Sequence, residues 1–545
     1  MRKVARLKCN DILFVITVTL FITFVQNTRF FYRAWQIIEP DSLRNIIFSA
    51  SMPVLLFCCL NVIFSLLLLP YLRKPVAIIF ILAGAAVNYF MYSFNTVIDR
   101  NMTQNALETN LHEALDLFSF KMVLWFTLIG IIPALIVAWT KITPSRSCWR
   151  FVWVRATNII VSSLVIVLIA LFFYKDYAPF FRNNKDMVKL LTPSNVIGSL
   201  VNNLSNYIDS RKPFEQIGLD AHKGPLITQQ PKKTLLVLVL GETARAENFS
   251  LGGYSRNTNP QLAKRDNVTY FDNVSSCGTA TAVSVPCMFS NMTRKQYSES
   301  TAKHTENVMD ILARANVNVL WRDNDSGCKG VCNRVPNEDL TTLKLPELCK
   351  DGACLDDILL YKLDDYINTL DNDGIIVLHQ MGSHGPSYHQ RYPKEYRQFT
   401  PTCDTNDIQD CDVASLRNTY DNTIVYTDAM LDKTISLLQK HEDKFATAMI
   451  YLSDHGESLG ENGLYLHGTP YAIAPSQQTH VPMLMWTSAE YRQVQKLDEG
   501  CLAKEAKQNE FSQDNLFHSL LGIFNIQTTE YQATLDMFQS CRKAS

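Results

Sequence analysis

The sequence predicts a membrane anchor of five helices followed by an α/β domain with a mainly parallel sheet, and three observations carry that expectation. Five stretches near the N-terminus approach the roughly 20 apolar residues that a bilayer-spanning helix needs. The formal charge of -1 hides a split: residues 1–175 hold 16 Lys and Arg against 7 Asp and Glu, and the remainder holds 35 against 45. Beyond residue 233, short apolar runs alternate with helical patterns. A chain of 545 residues, 47% hydrophobic and 19% charged, is long enough for several domains and too apolar to be disordered. Its larger part is acidic, which argues against nucleic-acid binding, because phosphate affinity rests on clustered Lys and Arg.

The apolar stretches fall at 12–32, 46–69, 76–98, 122–140 and 157–174. The first follows Arg2, Lys3, Arg6 and Lys8 and lacks a small-residue cleavage site, so it reads as a retained anchor. With the N-terminus in the cytoplasm, that side holds these four charges, Arg73 and Lys74, and Lys141, Arg146, Arg150 and Arg155. The opposite side holds Arg29, Arg33, Arg44, Arg100 and Lys121. Ten against five favours this orientation by the positive-inside rule. An odd number of crossings then places the chain from about residue 175 onward in the periplasm of a Gram-negative bacterium.

Cysteine usage tests that placement separately. Cys9, Cys58, Cys59 and Cys148 lie in the anchor, and the other ten of the 14 cysteines lie beyond it. In an oxidising compartment an even set reads as disulfides. Short spacings suggest the pairs Cys277/Cys287, Cys328/Cys332, Cys349/Cys354 and Cys403/Cys411, leaving Cys501 with Cys541. A zinc site built on Cys328 and Cys332 lacks a second pair at finger-like spacing. Between anchor and outer domain, residues 194–208 carry apolar positions at helical spacing, and 209–233 read as a polar linker with Pro213, Pro225 and Pro231. The expected organisation is therefore an anchor at 1–175, a connector at 176–233 and a periplasmic catalytic domain at 234–545.

Within the last domain the runs Thr234–Leu240, Val317–Trp321, Gly374–Leu378, Ala448–Leu452 and Val481–Trp486 fit strands buried on both faces of a parallel sheet. Ligands in such sheets gather at the carboxyl ends of strands. Glu242 follows the first run, His379 and His384 the third, and Asp454 and His455 the fourth, with His467 at the end of a Gly-rich loop. Carboxylates and imidazoles converging at one sheet edge make the usual ligand set for zinc or a similar divalent ion. A nucleophile is sought in Cys277-Gly278-Thr279-Ala280-Thr281, because a hydroxyl at a helix start has a positive dipole behind it. Composition leaves Thr279 and Thr281 open.

Four motifs then carry a resemblance: Gly241-Glu242-Thr243; Cys277-Gly278-Thr279-Ala280-Thr281 closed by Val285-Pro286-Cys287; Gly382-Ser383-His384-Gly385-Pro386; and Ser453-Asp454-His455-Gly456-Glu457. Together they resemble the phosphoethanolamine transferases that modify lipid A, a family that includes the mobile colistin-resistance enzymes and belongs to the alkaline phosphatase superfamily. The resemblance implies an alkaline-phosphatase/sulfatase-like α/β/α domain in the periplasm. It makes Thr281 the nucleophile and Glu242, Asp454 and His455 zinc ligands, with Thr281 facing the metal. His384 and His467 match positions that hold the donor phosphate or a second zinc. His379 and Lys329 match positions lining the same site, and Asp325 falls where some relatives have Asn. In the loop between the third and fourth membrane helices, Asn105, Thr109 and Glu113 recur every four residues and so share a helical face. They match positions that meet the ethanolamine head group.

The implied reaction is zinc-dependent transfer of phosphoethanolamine from phosphatidylethanolamine to a lipid A phosphate through a threonine intermediate. One zinc is expected to be tightly bound, with a second during catalysis left open. The product's added ammonium would weaken attraction for cationic peptides such as polymyxin and colistin. The chain is expected as a multi-pass monomer in the inner membrane, with no nucleic-acid partner. Transfer to lipopolysaccharide core sugars and phosphoglycerol transfer to glycans are the alternatives within the fold. A non-enzymatic membrane receptor is the alternative from another class. A sulfatase is disfavoured because the nucleophile segment lacks Cys/Ser-x-Pro-x-Arg.

Overall fold

The computed structural model describes residues 7–38, 42–94, 96, 117–143, 147–193, 213–350 and 353–543. These fall into two compact units, one built from 7–96 and 118–193 and the other from residue 213 onward. The connector helix expected at 194–208 and the loop carrying Asn105, Thr109 and Glu113 lie outside the described residues.

The first unit contains helices α1 (Asp11–Val25), α2 (Thr28–Ile38), α3 (Leu43–Leu67), α4 (Arg73–Ser93), α5 (Phe120–Trp139) and α6 (Cys148–Asn183). Among the described residues four helices are long and apolar enough to cross a membrane, or five if the bent pair α1 and α2 forms one span. The first stretch, expected as one helix over 12–32, is broken, with α2 turned 53° from α1. Gln26 and Asn27 explain the break. Both are fully buried, and their side-chain amides donate to the backbone carbonyls of Ile81, Ile22 and Thr192 at 2.8–2.9 Å. Side chains that compete for backbone partners in this way favour a turn over a continuing helix.

Arg155 also differs from its expected place in a loop. It lies within the first turns of α6, buried, and its guanidinium donates to Asp11 Oδ2 at 2.9 Å and to the carbonyls of Ser65 and Leu68. Arg73 takes the other oxygen of Asp11 at 2.7 Å. Residues Lys8–Asn10 and Lys141–Thr143 pair as parallel strands β1 and β2 at this same end. Chain start, α3–α4 turn and α6 start are thus tied together where the basic residues concentrate. Away from that end, Asn61 of α3 donates to Ser162 and Asn158 of α6 at 2.9 and 3.1 Å, an interhelical bond of the kind that holds apolar helices in lipid.

The second unit is organised by a seven-stranded sheet. In chain order its strands are β3 (Lys233–Gly241), β4 (Val268–Phe271), β5 (Asn318–Asp323), β6 (Asn337–Asp339), β7 (Gly374–His379), β8 (Phe445–Ser453) and β9 (Met483–Thr487). Their spatial order is β4-β9-β8-β3-β7-β5-β6. The block from β8 to β6 is parallel, and β9 runs antiparallel between β8 and β4. All five expected runs are strands, but the run at Val481–Trp486, expected in a parallel sheet, forms β9, which runs antiparallel to both neighbours. β4 and β6 were not expected; they are the two short edge strands, where one-sided pairing relaxes the demand for an apolar run. In the central strand β3, residues Leu235 to Leu240 are fully buried, because helices and loops cover both faces.

Register decides what the sheet presents. Leu240 pairs with His379 on one side and Leu452 on the other, Gly241 pairs with Ser453, and His379 pairs with Asp323. Glu242, Asp454, His379 and Asp323 therefore leave the sheet along one edge. Five disulfides join Cys277–Cys287, Cys328–Cys332, Cys349–Cys354, Cys403–Cys411 and Cys501–Cys541. The free cysteines Cys9, Cys58, Cys59 and Cys148 are all in the first unit.

The buried Arg155–Asp11–Arg73 group yields a prediction. Asp11→Ala leaves Arg155 without its carboxylate, and losing one partner of a buried pair costs about 3–5 kcal/mol. Thermal unfolding of the detergent-solubilised protein should shift clearly downward, and an unchanged midpoint would show that the group is not stabilising.

Candidate active site and metal centre

The site is built outward from Glu242. β3 ends at Gly241, whose missing side chain leaves room for Tyr451: a Cβ there would lie 2.4 Å from the tyrosine oxygen. The next turn places Thr243 at φ 53°, in the left-handed region that a β-branched residue rarely adopts. It is held there from both sides, since its N–H donates to Asp454 Oδ1 at 3.2 Å and its carbonyl accepts from Tyr420 Oη at 2.7 Å. Tyr420 projects from the long helix Val413–Gln439. Gly382, at φ 51°, passes so close that a Cβ would meet the Glu242 carbonyl at 2.7 Å. The backbone of Glu242 is thus enclosed by three elements, and its side chain is fully buried.

Asp454 and His455 complete one cluster with it. Asp454 Oδ1 accepts the backbone N–H groups of Thr243 and His455, at 3.2 and 2.6 Å. Among the described residues its Oδ2 accepts no hydrogen bond, although Asp454 is fully buried. His455 Nδ1 lies 2.9 Å from the Gly456 carbonyl, which can only accept, so the proton sits on Nδ1 and Nε2 keeps its lone pair. That Nε2 is 3.2 Å from Asp454 Oδ2 and 3.5 Å from Glu242 Oε1. Burial, against the pull of Asp454, brings the imidazole down to about 4, so it is neutral at neutral pH.

Thr281 is the first residue of the helix Thr281–Met288. Its hydroxyl stands 3.1 and 3.3 Å from the two oxygens of Glu242 and 3.3 Å from His455 Nε2. Thr279, the other candidate, turns its hydroxyl away to the Thr469 carbonyl at 2.6 Å. The segment is held by Cys277–Cys287 and by Gln513, which sequence reasoning missed. Fully buried, Gln513 accepts the Cys277 N–H at 2.7 Å and donates to the carbonyls of Ser453 and Asp454 at 2.8 and 2.7 Å. One amide therefore locks the threonine loop to the end of the Phe445–Ser453 strand. No local pattern around residue 513 signals this.

Two histidines flank the cluster on one side. The His467 ring centroid is 4.5 Å from that of His455 and 5.5 Å from that of His384. Glu457, present in the quoted motif but given no role there, approaches His467 Nδ1 at 3.4 Å. Burial raises the Glu457 carboxyl, and burial with His467 and Arg391 nearby holds His384 well below its usual range. On the other side, His379 Nδ1 meets Asp323 Oδ2 at 2.9 Å, and His379 Nε2 lies 3.7 Å from Asp325. Burial opposes charge on His379, but Asp323 and Asp325 raise it to about 9. Asp323 is lowered in spite of burial by the same ion pair. Lys329 and Asp325 line a cavity of about 590 Å³, with the lysine ammonium on Ser326. Asp356 accepts the N–H groups of Met381 and Gly382 and so fixes the loop after His379.

These residues fit a metal. Ligand atoms of Glu242, Asp454 and His455, all buried, lie within 4.8 Å of one another, and Asp454 Oδ2 lacks a donor. Two carboxylates, a neutral imidazole and a hydroxyl form a nitrogen and oxygen donor set suited to zinc.

Comparison with known proteins agrees with this architecture. A sulfatase family profile matches residues 234–526, and a profile for phosphoethanolamine transferase EptA/EptB matches 56–208. The chain is 50% identical over 544 residues to phosphoethanolamine transferase EptA of Escherichia coli K12, covering 100% of this chain and 99% of that one. It belongs to the phosphoethanolamine transferase family. Phosphatidylethanolamine transferase Mcr-1 of Escherichia coli is 38% identical, covering 88% of this chain and 90% of that one. The solved structure of the integral membrane protein lipooligosaccharide phosphoethanolamine transferase A (EptA) from Neisseria meningitidis superposes with a TM-score of 0.95 at 42% identity, over 99% of this chain and 100% of that one. This transferase is thus a multi-pass membrane enzyme whose second unit has the sulfatase-type fold.

Gln513→Ala should lower metal affinity or transferase activity about 10–100-fold, the usual cost of removing an outer support of a metal ligand. Metal titration alongside a transfer assay checks this, with the Cys277–Cys287 bond confirmed intact by mass. Wild-type values in both would show that the amide link does not position the site.

Proposed function

We propose that this transferase moves phosphoethanolamine from phosphatidylethanolamine to a lipid A phosphate, with Thr281 as the covalent carrier. The observation that carries the reading is the Thr281 hydroxyl, within 3.3 Å of both Glu242 oxygens and of a neutral His455 Nε2. Zinc held by Glu242, Asp454, His455 and Thr281 would lower the hydroxyl pKa and neutralise phosphate charge. The remaining work falls to side chains.

In the first step the Thr281 oxygen attacks the phosphorus of the donor, an O–P bond forms, and the bond to diacylglycerol breaks. Glu242, already accepting the threonine hydrogen bond, is placed to take its proton, and that proton goes to the diacylglycerol oxygen, which leaves as the alcohol. His384 and His467 are positioned for the non-bridging phosphate oxygens or for a second zinc, Lys329 adds positive charge, and His379 lines the same site. In the second step a lipid A phosphate oxygen attacks the same phosphorus, Thr281 leaves as the alcohol, and phosphoethanolamine departs on the acceptor. Dividing the transfer lets two lipids use one site in turn. Asn105, Thr109 and Glu113 are proposed to meet the ethanolamine head group.

Both substrates are amphiphiles, so a membrane anchor raises their local concentration around the catalytic domain. We place that domain in the periplasm and the N-terminus in the cytoplasm. All ten cysteines of the second unit are bonded, as an oxidising compartment favours, and all four free ones belong to the anchor. The added ammonium on lipid A would weaken binding of polymyxin and colistin.

The test is intact-protein mass after exposure to phosphatidylethanolamine. Wild type and Thr279→Ala should gain a phosphoethanolamine adduct that lipid A discharges, and Thr281→Ala should gain none. An adduct on Thr281→Ala would reject the assignment, and an adduct that lipid A leaves in place would reject the acceptor.

A further inference from the structure

We infer that Glu242, Asp325 and His379 form a second divalent-cation position, sharing Glu242 with the centre proposed above. The inference rests on that reading, because the shared carboxylate is the bridge.

The three side chains are buried, and one ligand atom from each lies within 4.8 Å of the others. Proximity alone would describe many acidic clusters, so the buried atoms left without a hydrogen bond matter more. His379 is fully buried, yet among the described residues its Nε2 has no hydrogen-bond partner. Asp325 is 6% exposed; its Oδ2 accepts from Ser326 Oγ at 3.1 Å, but its Oδ1 has no partner among the described residues. A buried polar atom left unpaired costs about 1–3 kcal/mol, more when charged, and an ion bound here would take the place of the proton that His379 Nε2 turns toward Asp325. A cation at this point would satisfy both atoms at once.

The ring is also supported as a ligand should be. His379 Nδ1 lies 2.9 Å from Asp323 Oδ2, which directs Nε2 toward Asp325 Oδ2 at 3.7 Å. Ligating histidines almost always donate the other ring N–H to a carboxylate or carbonyl, which fixes the ring and raises its basicity. Asp323 is itself held, accepting from Trp321 Nε1 at 2.9 Å and, through its other oxygen, from the N–H groups of Asp325 and Gly327 at 2.9 and 3.1 Å. Asp323 therefore orients both the imidazole and the backbone of the neighbouring carboxylate. The arrangement repeats that at His455, where Nδ1 is tied to a carbonyl and Nε2 faces Glu242. Two aspartate–histidine pairs thus stand on either side of one glutamate.

A nitrogen and oxygen donor set of this kind takes zinc or a similar divalent ion. Asp325 lines the cavity of about 590 Å³ that Lys329 also lines. This position involves neither His384 nor His467, so it is distinct from a second metal on their side. Its consequence would be added positive charge opposite Thr281, where the donor phosphate must sit.

The test counts metal in the full-length protein in detergent, stripped and then titrated with Co²⁺, using visible absorption and elemental analysis. Wild type should bind two equivalents. Asp325→Asn, which keeps the shape and removes the charge, should bind one, with the first equivalent's spectrum unchanged, and His379→Gln should match it. Asp454→Asn should lose the other equivalent, and His467→Ala should retain both. One equivalent in wild type, removed by Asp454→Asn, would overturn this inference and leave the first centre standing. A second equivalent lost in His467→Ala but kept in Asp325→Asn would overturn it as well. No metal in wild type would overturn both readings. Near-UV circular dichroism establishes that each variant is folded.

Discussion

Buried negative charge is the constraint on which the rest of this structure depends. Glu242 and Asp454 lie fully out of solvent, where an uncompensated carboxylate costs several kcal/mol. The protein accepts that cost by locking the backbone around them. Asp454 has one oxygen satisfied by two N–H groups and the other turned toward His455. Thr243 is kept in a left-handed conformation, and Gly382 passes against Glu242 where a side chain would collide. Such pre-organisation makes sense for a site completed by a cation, because the ligands pay their ordering entropy on folding and not on binding.

From that constraint follows the division of labour between sheet and staples. Parallel register delivers Glu242, Asp454, His379 and Asp323 to one edge, but it cannot deliver Thr281, which belongs to a loop and a short helix. Cys277–Cys287 and Gln513 do so instead. The disulfide restricts the segment that carries Thr281, and the glutamine amide ties that segment to the strand end that carries Asp454. The membrane unit meets a similar problem with Asp11, whose carboxylate is compensated by Arg73 and Arg155.

How much of this was legible in the sequence depended on how local each signal was. The five buried strands announced themselves as apolar runs, and the residues just after them stood out as candidates because strand ends collect ligands. The edge strands Val268–Phe271 and Asn337–Asp339 were not, since edge strands need no apolar run. The first membrane helix read as continuous because Gln26 and Asn27 look like ordinary interfacial residues; their partners Ile81 and Thr192 are 55 and 165 positions away. Arg155 read as a loop charge for the same reason, its partner being 144 residues earlier. Asp323 and Gln513 act through contacts 56 and 236 positions distant, and no spacing rule reaches so far. The choice between Thr279 and Thr281, open on composition, turns on which hydroxyl faces Glu242.

The central claim is that Glu242, Thr281, Asp454 and His455 surround a catalytic zinc. Anomalous diffraction at the zinc absorption edge, from crystals of the full-length protein loaded with zinc, tests it most directly. The account predicts a strong anomalous peak within about 2.0–2.2 Å of an atom of each of these residues, the range for zinc bound to nitrogen and oxygen. A zinc-loaded protein whose anomalous peaks all lie elsewhere, with the Thr281 oxygen bonded only to protein atoms, would contradict it.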